Sequence, residues 1–108
     1  MQERAGVVMA FKIVYGPEAL QDLKNLSASI RRSVFDGLEI HLRNEPDVQT
    51  GKIKGIAGIS AEWAQSKPFW QLRVGQHRVF YEVDREKETV LVLAVRLKSP
   101  HKQMEDIV

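Results

Sequence analysis

The stretch Phe69–Lys98, FWQLRVGQHRVFYEVDREKETVLVLAVRLK, decides how this chain folds. It reads as a three-stranded antiparallel meander. Alternation assigns Trp70, Leu72 and Val74 to one face of a first strand and Phe69, Gln71 and Arg73 to the other. Gly75 and Gln76 then form a two-residue loop, and glycine at its first position suits a type II′ turn. Closing that loop sets Arg73 opposite Arg78, Leu72 opposite Val79 and Trp70 opposite Tyr81. Like charges directly opposite each other on a sheet are unfavourable by a few tenths to about 1 kcal/mol. An anion on that face would relieve the pair. Alternatively, Glu62, Glu82 or Asp84 could neutralise one arginine and leave the pair merely solvated.

The second strand runs Arg78–Asp84, a charged turn REKE follows, and Thr89–Leu97 is apolar on both faces, as an interior strand covered on two sides should be. Upstream, Ala10–Tyr15 alternates Phe11, Ile13 and Tyr15 against Lys12 and Val14, a half-buried strand ended by Gly16. Pro17 is placed to begin a helix, with Glu18 favourable near its positive terminus. That helix runs through PEALQDLKNL with Ala19, Leu20, Leu23 and Leu26 as its apolar stripe. Ser27 or Ser29 caps a second helix to about Arg43, carrying Ile30, Val34, Leu38 and Leu42, with Phe35 widening the face. His41 falls beside that stripe and reads as a packing residue. Two helices so closely joined form a hairpin whose apolar face needs a sheet, and the meander supplies one.

Between Asp47 and Lys67 the pattern fades into DVQTGKIKGIAGISAEWAQSK, which reads as a long connection with function or mobility. Ile53, Ile56 and Ile59 are expected to tack it to the body, leaving Lys52 and Lys54 exposed. Residues 1–9 read as a flexible tail, and HKQMEDIV as a short terminal helix or tail.

The 108 residues suit a single domain, and 44% hydrophobic with 28% charged residues is a globular balance that indicates neither disorder nor a membrane span. The absence of cysteine excludes disulfides and thiolate metal sites and fits a reducing compartment. With no secretory signal pattern, cytoplasm is the default expectation. The net charge of +2 is unevenly spread: between Val48 and Tyr81, Lys52, Lys54, Lys67, Arg73 and Arg78 face Glu62 alone, so the rest of the chain is net acidic. Such a distribution points to a localised anion site.

No metal or cofactor motif is present, so none is expected, and no serine sits in a nucleophile elbow. What the chain offers is Arg73, Arg78, Arg96 or Lys98, and His101 near one end of one sheet. These groups suit RNA cleavage without metal, in which a 2′-hydroxyl attacks the neighbouring phosphate, arginines stabilise the developing charge, and a histidine or lysine moves protons. They suit plain phosphate binding equally well. Of the histidines, His101 is the candidate proton carrier because it follows a sheet strand across a proline.

The words WQLRVGQHRVFYEVD and VLVLAVRLKSPH, together with YGPEALQDLKNL, resemble the RelE/ParE toxin superfamily of type II toxin–antitoxin systems, from about Phe11 to His101. The resemblance implies an α+β, RelE-like β-α-α-β-β-β fold, with a helix hairpin on one face of a mostly antiparallel sheet and a basic face opposite. It further implies a metal-independent endoribonuclease that cuts messenger RNA on the ribosome. Arg73 and Arg78 would contact the scissile phosphate, Lys98 would add charge where an arginine is common, and His101 would act as acid or base. Lys52, Lys54, Gln71 and Arg96 would line the RNA path, although Gln71 falls where many active members carry a lysine or arginine. No tyrosine follows Tyr81, so a tyrosine-dependent mechanism is not open to this chain. These departures keep two alternatives, a ParE-like inhibitor of DNA gyrase and a degenerate toxin that only binds its antitoxin. In each case a cognate antitoxin is the implied partner.

Overall fold

Burial of one apolar face per strand organises the chain. The computed structural model describes residues 10–56 and 69–98, and the expectations for residues 1–9, for Ile59, Glu62 and Lys67, and for His101 with the segment after it lie outside them. Five strands and two helices follow in the order β1 (Lys12–Tyr15), α1 (Pro17–Lys24), α2 (Ala28–Leu42), β2 (Ile53–Ile56), β3 (Phe69–Val74), β4 (His77–Asp84) and β5 (Thr89–Leu97). They form one sheet ordered β1-β5-β4-β3-β2, antiparallel except where β1 runs parallel to β5. Two helices on one face of a mostly antiparallel sheet make this the expected α+β architecture.

The expected hairpin is present with the expected register: Trp70 pairs with Tyr81, Leu72 with Val79, and Arg73 with Arg78. Gly75 takes φ +58 while Gln76 stays out of positive φ, the combination a type II′ turn requires. Leu72, Val79 and Tyr81 are buried on the helix side with Val34, Leu38, Leu42, Val90 and Val92, and Trp70 and Val74 pack against them. Helix α2 approaches β3 closely at Gly37, where a Cβ would lie 2.9 Å from Val74 Cγ2.

Two expectations need correction. Residues 53–56 are a strand, not loop, pairing Ile53 with Leu72 and Ile56 with Phe69, so the meander gains a fourth strand at its edge. Only four residues long, interrupted by Gly55 and paired on one side, it shows too little alternation to announce itself. Its isoleucines do anchor the segment, both being buried, and Lys52 and Lys54 are exposed as expected. Leu20 is 54% exposed, because α1 ends at Lys24 and covers its share of the sheet with Ala19 and Leu23 alone. Of the two candidate caps for α2 it is Ser27 that serves, its hydroxyl accepting from Ile30 N at 3.3 Å.

The connection from α2 to β2 is pinned at successive residues. The Tyr81 hydroxyl, fully buried, donates to the Pro46 carbonyl at 2.6 Å. Arg85 clamps Asp47 with both arms of its guanidinium and lies 5.5 Å over the Phe11 ring. Thr50 Oγ1 then accepts from the backbone N–H groups of Lys52 and Ile53. Burial pushes the Tyr81 phenol far above its ordinary value of 10.0, and the nearby Asp47 carboxylate adds to the shift. An unfolded chain therefore ionises Tyr81 first, and the protein loses stability as pH rises above that ordinary value.

Replacing Tyr81→Phe should cost about 1–2 kcal/mol in denaturant unfolding at pH 7, since it orphans the Pro46 carbonyl. The same variant should lose stability less steeply than the native protein above pH 10.0. Parallel alkaline curves would show that the hydroxyl plays no such part.

Candidate anion-binding site

On the sheet face away from the helices, cross-strand pairing assembles a row of cations. Arg73 N donates to Lys52 O at 2.9 Å, Arg73 pairs with Arg78, and Arg78 pairs with Arg96. A parallel row sets Lys54 beside Gln71 and Gln71 beside Phe80. Partnered residues in adjacent strands share a face, so these groups converge by register alone.

The last two cations reach that face through a bulge. Tyr81 pairs with Val92 but Phe80 pairs with Ala94, leaving Leu93 as the extra residue. Without that insertion Arg78 would face Val95, and Arg96 and Lys98 would turn toward the helices. One added residue thus inverts the alternation of the last strand and re-aims its end. Lys98 is held there by its N–H, which donates to Gln76 O at 2.8 Å.

Lys52, Lys54, Gln71, Arg73, Arg78 and Lys98 line one groove of about 390 Å³, walled on one side by Gln49, Thr50 and Gly51. Five of these side chains are cationic, and among the described residues no acid lines the groove. Neither Arg73 nor Arg78 has an ion-pair partner among the described residues. Burial first, and the adjacent Arg73 charge second, lower the pKa of the Arg78 guanidinium. It nonetheless stays charged, as arginine does at any physiological pH.

Of the carboxylates that might have quenched this pair, Glu62 lies outside the described residues, and neither Glu82 nor Asp84 forms an ion pair with Arg73 or Arg78. Glu82 is buried two residues beyond Phe80 on β4, pairs with Leu91, and leaves its Oε2 without a partner. Asp84 accepts from Lys87 N in the following turn. No group of three or more His, Cys, Asp or Glu gathers into a metal-ligand set among the described residues.

Six of the eight residues anticipated for the site therefore come together, and His101 lies outside the described residues. Arg96 is the correction: it does not line the groove. Its register belongs to the cation row, but β1 pairing ends at Val92, and the guanidinium reaches past the free edge of β5 to α1. There Nε bonds Asp22 Oδ2 at 3.0 Å and Nη2 bonds Glu18 Oε2 at 2.6 Å. Asp22 Oδ2 also accepts from Val95 N, closing the strand edge. Gln49, Thr50 and Gly51 were not anticipated in the wall, although a threonine two residues before a lysine, across a glycine, is the signal of a side-chain turn.

The family model described as "ParE toxin of type II toxin-antitoxin system, parDE" matches residues 13–99. Among curated proteins none matches the chain in sequence. Solved structures share its fold. The archaeal RelE–RelB complex from Pyrococcus horikoshii OT3 aligns with TM-score 0.65 at 17% identity, over 85% of this chain and 99% of that one. The toxin–antitoxin complex RelBE2 from Mycobacterium tuberculosis aligns with TM-score 0.61 at 24% identity, over 82% and 99%. The RelB–RelE antitoxin–toxin complex from Methanococcus jannaschii gives 0.54 at 21%, over 78% and 88%.

If the facing arginines are an unrelieved like-charge pair, Arg73→Gln should raise stability by a few tenths to about 1 kcal/mol at low ionic strength. The gain should shrink as salt shortens the screening length from about 30 Å at 0.01 M to about 10 Å at 0.1 M. Inorganic phosphate should raise the Tm of the native protein more than that of the variant, and equal shifts in calorimetry would remove the anion from the account. With the family match spanning nearly the whole described fold, the chain belongs to the RelE/ParE superfamily of type II toxin–antitoxin toxins.

Proposed function

We propose that this toxin stops translation by cleaving messenger RNA on the ribosome as a metal-independent endoribonuclease. The observation that carries this reading is the groove in which Lys52, Lys54, Arg73, Arg78 and Lys98 converge with no acid among the described residues that line it. A phosphodiester is the polyanion such a groove fits, and its charge rises during cleavage. When the ribose 2′-oxygen attacks, a 2′-O–P bond forms and the P–O5′ bond breaks, giving a cyclic phosphate and a free 5′-hydroxyl. The transition state carries extra negative charge on the phosphoryl oxygens, which Arg73 and Arg78 are placed to stabilise. Their mutual repulsion in the free protein makes the arrangement more favourable with the anion than without it. Lys98 adds charge at the groove mouth, and His101 is the proposed proton carrier.

A second reading, inhibition of DNA gyrase, is favoured by the description of the matching family as ParE. In that case the same cations would bind an acidic protein surface and no phosphate would be cut. A degenerate toxin would retain only antitoxin binding. Each reading includes a cognate antitoxin, and two archaeal RelE proteins whose folds align with this chain were solved with RelB. Messenger RNA and the ribosome are the further partners of the first reading. No described helix is long and apolar enough to cross a membrane.

Induced expression in bacteria should arrest growth and produce discrete messenger RNA breaks in primer extension. Arrest without breaks, but with altered plasmid supercoiling, would transfer the assignment to gyrase. Arg78→Glu should abolish toxicity while leaving the helix hairpin, and with it much of the antitoxin affinity, intact; a variant that stays toxic would sink the site.

A further inference from the structure

Two atoms in the groove floor have no hydrogen-bond partner, and they are of opposite kind. Gln71 and Arg78 are each 6% exposed, and Gln71 Oε1, an acceptor, and Arg78 Nε, a donor, are both buried and unpaired. Gln71 stands opposite Phe80, and Arg78 precedes Phe80 by two residues on β4. The two side chains are therefore diagonal neighbours on one face, roughly 7–8 Å apart at their origins. Buried polar atoms in native proteins are paired in the great majority of cases, so a matched donor and acceptor left open together describe what the absent ligand supplies.

A phosphate answers only half of that description. A phosphodiester is deprotonated at neutral pH and only accepts, so it suits Arg78 Nε and presents Gln71 Oε1 with another acceptor. The surrounding lysines and arginines are donors, yet none of them bonds Gln71 Oε1. A phosphate entering the groove would draw them to itself. The ligand must therefore carry its own donor close to the phosphate. Along a nucleic-acid backbone one group does so, the ribose 2′-hydroxyl on the carbon adjacent to the 3′-phosphate, and DNA lacks it.

We infer that Gln71 selects ribose: its Oε1 accepts a hydrogen bond from the 2′-hydroxyl of the nucleotide whose 3′-phosphate Arg78 holds. Gln71 is uncharged and does not take the proton, so it is a binding and positioning residue. The inference rests on the RNA reading above and narrows it, because it assigns discrimination against DNA to a residue that is neutral where a cation would bind the phosphate alone. Gln71 is also a useful choice there for a second reason. A third cation beside Arg73 and Arg78 would add repulsion without distinguishing the two sugars.

The test is binding of the intact protein, by fluorescence anisotropy, to three short single strands of one sequence: ribose, 2′-deoxy and 2′-fluoro. The fluoro strand keeps a ribose-like pucker but has no donor. The native protein should bind the ribose strand about threefold to tenfold more tightly than either of the others, the range for one neutral hydrogen bond. Gln71→Leu should bind all three equally, near the native affinity for the deoxy strand. Gln71→Glu, which keeps an acceptor, should bind all more weakly but retain the ratio, and circular dichroism would confirm that both variants fold. Equal native affinity for all three strands overturns the inference while leaving the phosphate site standing. So does a ribose preference that survives in Gln71→Leu, or a preference among bases, without one among sugars, that the variant abolishes. A folded native protein that binds none of the strands overturns the RNA reading as well.

Discussion

The pairing of Arg73 with Arg78 is the constraint on which the functional face depends. It cannot relax by slippage. A one-residue shift of the hairpin would carry Leu72, Val79 and Tyr81 out of the core and bring Gln71, Arg73 and Arg78 toward the helices. The two-residue turn, with Gly75 at φ +58, admits no other length. Burial of several large side chains, each contributing on the order of 1.5–3 kcal/mol, therefore fixes a repulsion that is worth about 1 kcal/mol at most. The core wins by magnitude, and the charges stay together whether or not a ligand is present.

The β5 bulge at Leu93 extends the same logic to the last strand. Before it, Val90 and Val92 face the helices; after it, Val95 does, and Ala94 packs with Phe69, Phe80 and Leu93 on the other side. Apolar residues on both faces let the strand absorb the inversion without exposing its core. Arg96 and Lys98 gain the functional face in consequence, but they end differently. Lys98 reaches the groove, whereas Arg96 finds Glu18 and Asp22 across the strand edge that β1 leaves open. Opposite charges within reach outweigh membership of a row of like charges.

This explains which features were legible in the sequence. Hairpin register, helix starts and the inward set of Trp70, Leu72, Val79 and Tyr81 follow from alternation and turn length, which are local. The cluster of Arg73 and Arg78 follows from them in turn. Strand β2 was hidden because IKGI has one glycine in four residues and no alternation of polar with apolar side chains. Its Gly55 sits beneath the Trp70 ring, 3.5 Å from where a Cβ would be, so the neighbouring strand supplies the cover that its own side chain does not. The position of Arg96 was hidden for a different reason. Glu18 and Asp22 lie more than seventy residues away, and only the parallel β1–β5 pairing places α1 beside the end of β5. Nor does alternation reveal a bulge, since an apolar residue on either face reads alike.

A groove that concentrates cations must be held by contacts outside itself, because its own charges repel. Here the wall formed by residues 49–51 follows two anchors, Tyr81 on Pro46 and Arg85 on Asp47, and carries a third, Thr50 on the amides of Lys52 and Ile53 where β2 begins. None of these bonds uses the charged group of a groove cation. Tyr81 lies on β4, the strand that carries Arg78, and Arg85 follows directly after it, so floor and wall share one support. The Arg85–Asp47 pair is largely exposed on its arginine side and contributes little stability on its own. Its bidentate geometry still restricts where the connection can lie, which is the property a binding site needs. The buried Tyr81 bond supplies what the exposed pair does not, since breaking it orphans a carbonyl. Stability and position are thus divided between neighbouring contacts, and the groove can keep its charges unpaired until an anion arrives.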